Sequence, residues 1–375
     1  MNNRQRTLAI LNYEKYDRMP VVHFGYWIEL LDKWVAEGHI TKEERDSHAD
    51  GNATDREIDK RLGWDYCWVP QYAGKWQLWP AFEYKVLETL PDGHIIYQNG
   101  AGLIEKAHPG SSSIPATLGT LMTGREAWEE LFLPKLRPNK TRAGTPAELA
   151  AAKKEFAETT SCPTSIYAGS IYGRIRDVLG VEELSFLQAD DEELYVEIID
   201  TVADVAYQNF SDILAAGVIP DFIHIWEDIC FKNGPLVNPE VFEKYAGPHY
   251  KKITDLGRSY GVNFCELDCD GYIDKLLPIW FNNGVNIMFP IEVGTWNASI
   301  APWRARYGKE LRGVGGMEKN VLSLERSDID KEIERLRPLV DLGGFIPCVD
   351  HRLPPDAKWE NVQYYCDRMK EVFSR

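Results

Sequence analysis

No apolar run in this chain approaches the roughly 20 residues of a membrane-spanning helix. Positive charge is in deficit: 42 Lys and Arg face 58 Asp and Glu, a formal net charge of −16 at pH 7. No basic stripe exists for phosphates to meet, which argues against nucleic acid as a partner. A disulfide framework is also missing, because the seven cysteines are odd in number and scattered over 375 residues. The opening MNNRQRTLAILNYEKYDRMP has only a short apolar run broken by charges, so it does not read as a secretory signal. A cytoplasmic protein with free thiols and no membrane association is expected. Nucleotide fingerprints are lacking too: neither G-x-G-x-x-G nor a P-loop stands at any strand–helix turn.

What is present is ordinary globular composition, 44% hydrophobic and 27% charged. Apolar segments that end in ionisable groups recur. The stretch VNFCELDCDG runs from Val262 into Glu266, Asp268, Cys269 and Asp270 and stops at Gly271. FIHIWED ends in Glu227 and Asp228, MFPIEVG carries Glu292, and GFIPCVDH ends in Cys348, Asp350 and His351. Such runs read as buried parallel strands whose carboxyl ends are polar. Parallel barrels and doubly wound sheets gather those ends on one face, where their sites form.

Strand and helix patterns alternate along most of the chain. Candidate strands are Val21 to Phe24, Asp65 to Val69, SIYAG, FIHIW, VNFCEL, VNIMFPIEV, ELRGVGG and GFIPCV. Helical patterns include Asn3 to Tyr13, Glu192 to Ala215, Asn238 to Tyr260, Tyr272 to Asn282 and Asn361 to Ser374. Eight strands, most followed by a helix, predict an α/β chain folded as a (β/α)8 TIM-type barrel, one domain over 1–375. A doubly wound sheet is the alternative. Residues 75–124 have a different texture, with alternating apolar and polar residues and turns at Asp92-Gly93 and Asn99-Gly100. They predict a β-hairpin or small meander inserted after the second strand, with a loop over 109–115.

Several segments carry a family resemblance: RTLAILNYEKYDRMPV, WEDICFKNGPLVNPEVFEKYAGPHYKKI, LDCDGYIDKLLPIWFNNGVNIMFPIEVG, LRGVGGMEK and GGFIPCVDHRLPPDAKWENVQYY. Together they resemble the uroporphyrinogen decarboxylase superfamily over nearly the whole chain apart from the insert. True uroporphyrinogen decarboxylases carry an R-Q-A-G-R-Y segment after the first strand. Here that place reads His23-Phe24-Gly25-Tyr26-Trp27-Ile28, with no arginine. The resemblance therefore points to the other branch, methyltransferases that move methyl groups between a corrinoid and a thiol or small methylated compound. No corrinoid-binding Asp-x-His-x-x-Gly occurs, so the corrinoid is expected on a partner protein. Self-association into a homodimer stays open, as does the direction of transfer.

That branch often binds zinc through His-x-Cys on one strand and a later Cys. Cys269 matches the first cysteine and Cys348 the second, while the histidine position falls on Leu267. Glu266, Asp268, Glu292 and His351 are alternatives for the third ligand, with Glu292 carried as the working choice. Two thiolates and one oxygen or nitrogen ligand make an acceptable zinc set with an open position. The bland reading is that both are small buried cysteines.

Other candidates rest on the residues themselves. Glu227 and Asp228 are neighbours, so a strand would point them to opposite faces and only one to the mouth. Glu227, Asp268 and His351 are taken as catalytic acid/base groups. His23, Tyr26 and Trp27 could line an aromatic pocket suited to a methylammonium or methoxyarene. Tyr167, Tyr172, Arg174, Asp228 and Asp350 complete the expected substrate-binding set; Arg174 could clamp an anion or pair with Asp177 or Glu183. Cys67, Cys162, Cys230 and Cys366 show no ligand spacing. The expected activity is corrinoid-dependent methyl transfer, zinc-assisted or not. The alternatives are a metal-free decarboxylase or lyase using Asp268 or His351 as proton donor, and a binding protein without chemistry.

Overall fold

A computed structural model describes residues 1–109, 115–158 and 161–374. The inserted loop expected over 109–115 therefore lies, at 110–114, outside the described residues. In chain order the strands are β1 (Val22–His23), β2 (Tyr66–Cys67), β3 (Tyr72–Ala73), β4 (Lys85–Thr89), β5 (Ile95–Gln98), β6 (Leu103–Ala107) and β7 (Ala116–Thr120). There follow β8 (Ser165–Gly169), β9 (Phe222–Trp226), β10 (Cys230–Phe231), β11 (Gly234–Pro235) and β12 (Phe264–Asp268). The last are β13 (Ile287–Ile291), β14 (Arg312–Met317) and β15 (Phe345–Val349).

Nine of these form one parallel sheet in the order β2-β1-β15-β14-β13-β12-β9-β8-β3. Its edge strands β2 and β3 are separated in the chain only by Trp68 to Gln71, so the sheet curls until its two ends meet on one stretch. Apart from β2 and β3, helices lie between successive strands of this sheet, and the whole is a TIM-like α/β architecture. Of the second expected strand, Asp65 to Val69, only β2 is realised, and β3 follows beyond it after Pro70. Pro70 between them has no N–H to give a ladder, and the Val69 amide turns back to the Cys67 carbonyl at 3.2 Å. β2 then serves β1, and β3 serves β8.

The insert is a four-stranded antiparallel meander, β4-β5-β6-β7. Thr120 Oγ1 donates to the Val178 carbonyl at 2.6 Å, which ties the meander to a helix at Tyr172–Leu179. That helix is absent from the sequence reading. The helix expected from Asn238 to Tyr260 is two, Pro239–Tyr245 and Gly247–Ser259, because Pro248 cannot continue the first ladder. The one expected from Tyr272 shrinks to Leu277–Asn282. Among the described residues no helix is long and apolar enough to cross a membrane.

The inside of the curled sheet is aromatic. Trp68 stacks on Phe222 at 5.1 Å between centroids, and Phe289 meets Phe24 edge-on at 4.8 Å. Phe289 is fully buried and also reaches Trp68 at 6.5 Å. Phe289→Ala is expected to cost about 3–5 kcal/mol, read as a lower urea midpoint at unchanged slope. A change below about 1 kcal/mol would mean that this layer does not support the barrel.

Candidate active site

The carboxyl ends of the parallel strands bring chemistry together. Strand register decides which side chains face inward. Glu266 pairs with His224 and Asp268 with Trp226 across β12 and β9, so these four share the inner face. Glu266 is fully buried and accepts from Trp68 Nε1 at 2.5 Å, and it lies 2.7 Å from His224 Nδ1. The other ring nitrogen, His224 Nε2, lies 3.5 Å from Asp268. The Tyr167 ring packs on His224 at 5.1 Å and stacks on Trp76 at 4.8 Å. A chain Trp68–Glu266–His224–Asp268 thus runs from the barrel interior to its mouth.

At the mouth Asp268 is joined by Asp228, Asp270, Glu292 and His351. Asp228 takes the Asp270 amide at 2.9 Å and has a left-handed backbone, φ 47°. His351 Nε2 lies 3.2 Å from Asp270 Oδ2, and its ring stacks on Trp27 at 5.5 Å and meets Phe24 edge-on at 5.7 Å. Two cations temper the acidic rim. Arg176 donates to the Asp228 carbonyl, and Arg352 donates to Asp50 while sitting close enough to Asp268 to favour its charged form. Between the rim and the meander lies a cavity of about 550 Å³, lined by Arg176, Asp228, Phe231 and Asp270 on one side and Leu103, Glu105 and Thr117 on the other. The insert is therefore one wall of the site's approach.

Burial and neighbouring negative charge favour the protonated forms of Asp268, Asp228 and Glu292. Burial first, then Asp228, Asp270 and Glu266, pushes Asp268 well above the carboxylate range. Burial and the Asp270 charge push Asp228 up to about 7, against the pull of the Asp270 amide and Arg176. Burial and Asp270 also raise Glu292, against the Gly271 amide, Thr295 and His351. Carboxyls that hold a proton near neutrality are equipped to act as acids.

The structure relocates several expected residues. Glu227 points out of the barrel and serves the helix Tyr172–Leu179. Its carboxylate accepts the amides of Ile171, Tyr172 and Gly173 at 2.9, 2.9 and 2.6 Å, with Tyr250 Oη at 2.6 Å and Ser170 Oγ at 3.3 Å. Five donors leave it no capacity for substrate. Close approach is required here: a Cβ on Gly173 would lie 2.0 Å from the Glu227 carbonyl oxygen. Asp350 is likewise withdrawn, fully buried and accepting from the Gly294 amide at 2.7 Å and the Lys319 amide at 3.2 Å. The Tyr172 hydroxyl is paired with that of Tyr195 at 2.9 Å. Arg174 is buried, 3.8 Å from Asp177 and over the Trp76 ring at 5.9 Å, and burial lowers its basicity. His23 and Tyr26 turn away from the mouth onto Asp59, at 2.8 and 2.9 Å.

Cys269, Cys348 and Glu292 do not assemble as a metal-ligand set; among the described residues the only such group is His23, Asp55 and Cys67. The reason is strand parity. Cys269 follows the outward positions Cys265 and Leu267 and lies against Cys230. Cys348 shares the inner register of Val22 and feels the Glu266 charge. Glu292 spends its oxygens on the Gly271 amide at 2.5 Å and Thr295 Oγ1 at 2.7 Å.

Of the expected residues, the mouth keeps Asp268, Asp228, Glu292, His351, Trp27 and Tyr167. Sequence reasoning passed over His224, Trp68, Arg176 and Arg352. A signal for His224 was present: an imidazole in the middle of the apolar run FIHIW, two residues before Trp226, on the same alternation.

Comparison with known proteins follows the fold closely and the sequence hardly at all. No family model matches the chain, and no curated protein matches it by sequence. Among solved structures, a methyltransferase from Methanosarcina mazei superposes with a TM-score of 0.61 over 99% of both chains at 16% identity. A B12-independent methionine synthase from Shewanella sp. W3-18-1 gives a TM-score of 0.45 at 11% identity, over 95% of this chain and 98% of that one. The first likeness establishes the shared fold.

Two outcomes follow from the site geometry. Glu227→Ala leaves several buried donors unpaired and is expected to lower stability by about 3 kcal/mol or more by urea denaturation; a neutral result would contradict its role as a helix cap. Asp228 binds its proton more tightly folded than unfolded, so its contribution is complete at low pH. It is lost as pH rises from its ordinary 3.8 through about 7. Asp228→Asn should flatten the fall in stability over that window, compared with the parent chain at each pH; an unchanged slope would contradict the assignment.

Proposed function

We propose that this chain is a methyltransferase that moves a methyl group between a small methylated substrate and a corrinoid held on a partner protein. The observation that carries this reading is Asp268, buried at the strand ends 3.5 Å from His224 Nε2, in a fold shared with a methyltransferase. The curled sheet is read as a (β/α)8 barrel in which β2 and β3 together supply one strand, so that the ring closes. Localisation in the cytoplasm fits the same reading.

The chemistry asks for help at the leaving atom. A methyl ether or a methylamine is a poor methyl donor because its leaving group is basic, and protonation lowers that cost. Asp268 is placed to give that proton, and His224 beside it, at 3.5 Å, can share or return it. The His351–Asp270 pair offers a second proton path at the rim. Trp27, Phe24 and Tyr167 provide flat apolar surface for the body of the substrate, and the acidic rim favours one without negative charge. The corrinoid supplies the methyl acceptor, or the donor in the reverse direction. Zinc at Cys269 and Cys348 has no part in this reading, since strand parity separates the two thiols and no step depends on them.

The test is methyl transfer from candidate ethers, amines and thiols to a reduced corrinoid protein, followed by its absorption change. Asp268→Asn should slow the transfer about 100-fold or more while KM moves little. Carbon dioxide release from a small acid without any corrinoid would replace this reading with the lyase. Tight binding of a ligand with no turnover would replace it with a binding protein.

A further inference from the structure

The residues displaced from the mouth form a site of their own. β1 and β2 pair with His23 opposite Cys67, so both side chains leave the sheet on one face. That face is covered by the helix Ala53–Leu62, which carries Asp55 and Asp59. Ligand atoms of His23, Asp55 and Cys67 all lie within 4.8 Å of one another, and all three residues are buried. They come from three separate elements and share no sequence motif. We propose that His23, Asp55 and Cys67 bind one zinc ion between β1, β2 and this helix. The proposal does not depend on the methyl-transfer reading.

Histidine orientation supports it. The Gly25 amide donates to His23 Nδ1 at 3.0 Å, so Nδ1 carries the lone pair and Nε2 the proton. That proton faces Asp59 Oδ1 at 2.8 Å. A carboxylate on the far nitrogen is the arrangement that fixes a metal-binding imidazole, raising its basicity and pinning its ring. Asp59 is itself held by the Tyr26 hydroxyl at 2.9 Å, and its second oxygen is buried without a partner. The ion would take the place of the Gly25 amide at Nδ1. Asp55 is held by His48 Nε2 at 2.9 Å and the Gly51 amide at 2.7 Å, each leaving its oxygen a further lone pair.

Charge points the same way. Asp50, Asp55 and Asp59 crowd this pocket, and Arg352 is committed to Asp50. A divalent ion that takes Cys67 as thiolate, its proton passing to solvent, would cut the remaining charge of Asp55 and Asp59 from −2 to −1. Imidazole, thiolate and carboxylate together suit zinc. Zinc holds such atoms at about 2.0–2.3 Å, so neighbouring ligands stand about 3.3–3.8 Å apart and the pocket must close by about 1 Å. The site would clamp the first strand–helix unit. Trp68, next to Cys67, reaches Glu266, and Arg352 reaches the Tyr26 carbonyl, so the clamp also braces the mouth.

The experiment uses the full chain, equilibrated with Zn2+ or Co2+ and desalted. Mass spectrometry is expected to find about one zinc per chain. The Co2+ form should show a thiolate-to-cobalt charge-transfer band. Both should be lost in Cys67→Ser and kept in the Cys269→Ser, Cys348→Ser double variant. A folded chain that takes up no metal would overturn the proposal and leave a hydrogen-bonded polar cluster. Metal retained by Cys67→Ser, or lost in the double variant, would overturn it equally. Should Cys67→Ser fail to fold, the parent chain and the double variant decide: a band saturating at about one equivalent in both supports the site, and its absence from either refutes it.

Discussion

The register of β12 against β9 and β13 is the constraint on which the site depends. Parallel pairing sets Glu266 beside His224 and Asp268 beside Trp226, and puts Cys265, Leu267 and Cys269 on the other face. A slip of one residue would exchange the two faces entirely. Glu266 would then lose Trp68 and His224 and be left as an unpaired buried charge, which is among the costliest faults a core can hold. The polar pairs inside the barrel therefore secure the register, and the register places the mouth carboxyls.

Asp228 and Asp268 coexist beside Asp270 because their surroundings favour the protonated form. Burial raises Asp228 and Asp268 first, and the Asp270 charge beside them adds to the effect. The same features that disfavour charge underlie the acid role proposed for Asp268. Buried carboxylates elsewhere are handled differently. Glu227 and Asp350 are supplied with backbone amides and hydroxyls until no acceptor capacity remains. Chemically similar groups thus meet opposite surroundings, one saturated with donors and the other set among negative charges.

The sheet also has chemistry on both faces. Inside are the rings, His224, Glu266 and Asp268. Outside, where β1 and β2 meet their helix, are His23, Cys67, Asp55 and Asp59. The two are joined through Trp68, which follows Cys67 and turns inward to Glu266. Cys67 at the end of β2 and Trp68 just beyond it so link an outer polar pocket to the inner wall of the mouth.

Much was legible from the chain alone. Alternating apolar runs and helical periods showed the parallel α/β order, and Asp-Gly and Asn-Gly turns marked the antiparallel insert. Apolar runs ending in carboxylates located the mouth, because strand ends in such folds converge. Local pattern also showed that Glu227 and Asp228 must diverge. It could not say which of them faces inward, since that depends on pairing with β12 and on a helix start at Ile171 to Gly173 that needs the carboxylate. Spacing matched Cys269 and Cys348 to a metal pattern, yet spacing carries no information about faces across different strands. Only the tertiary structure joined His23 to Cys67, 44 residues apart in the chain, because their contact arises from strand register and not from any local motif.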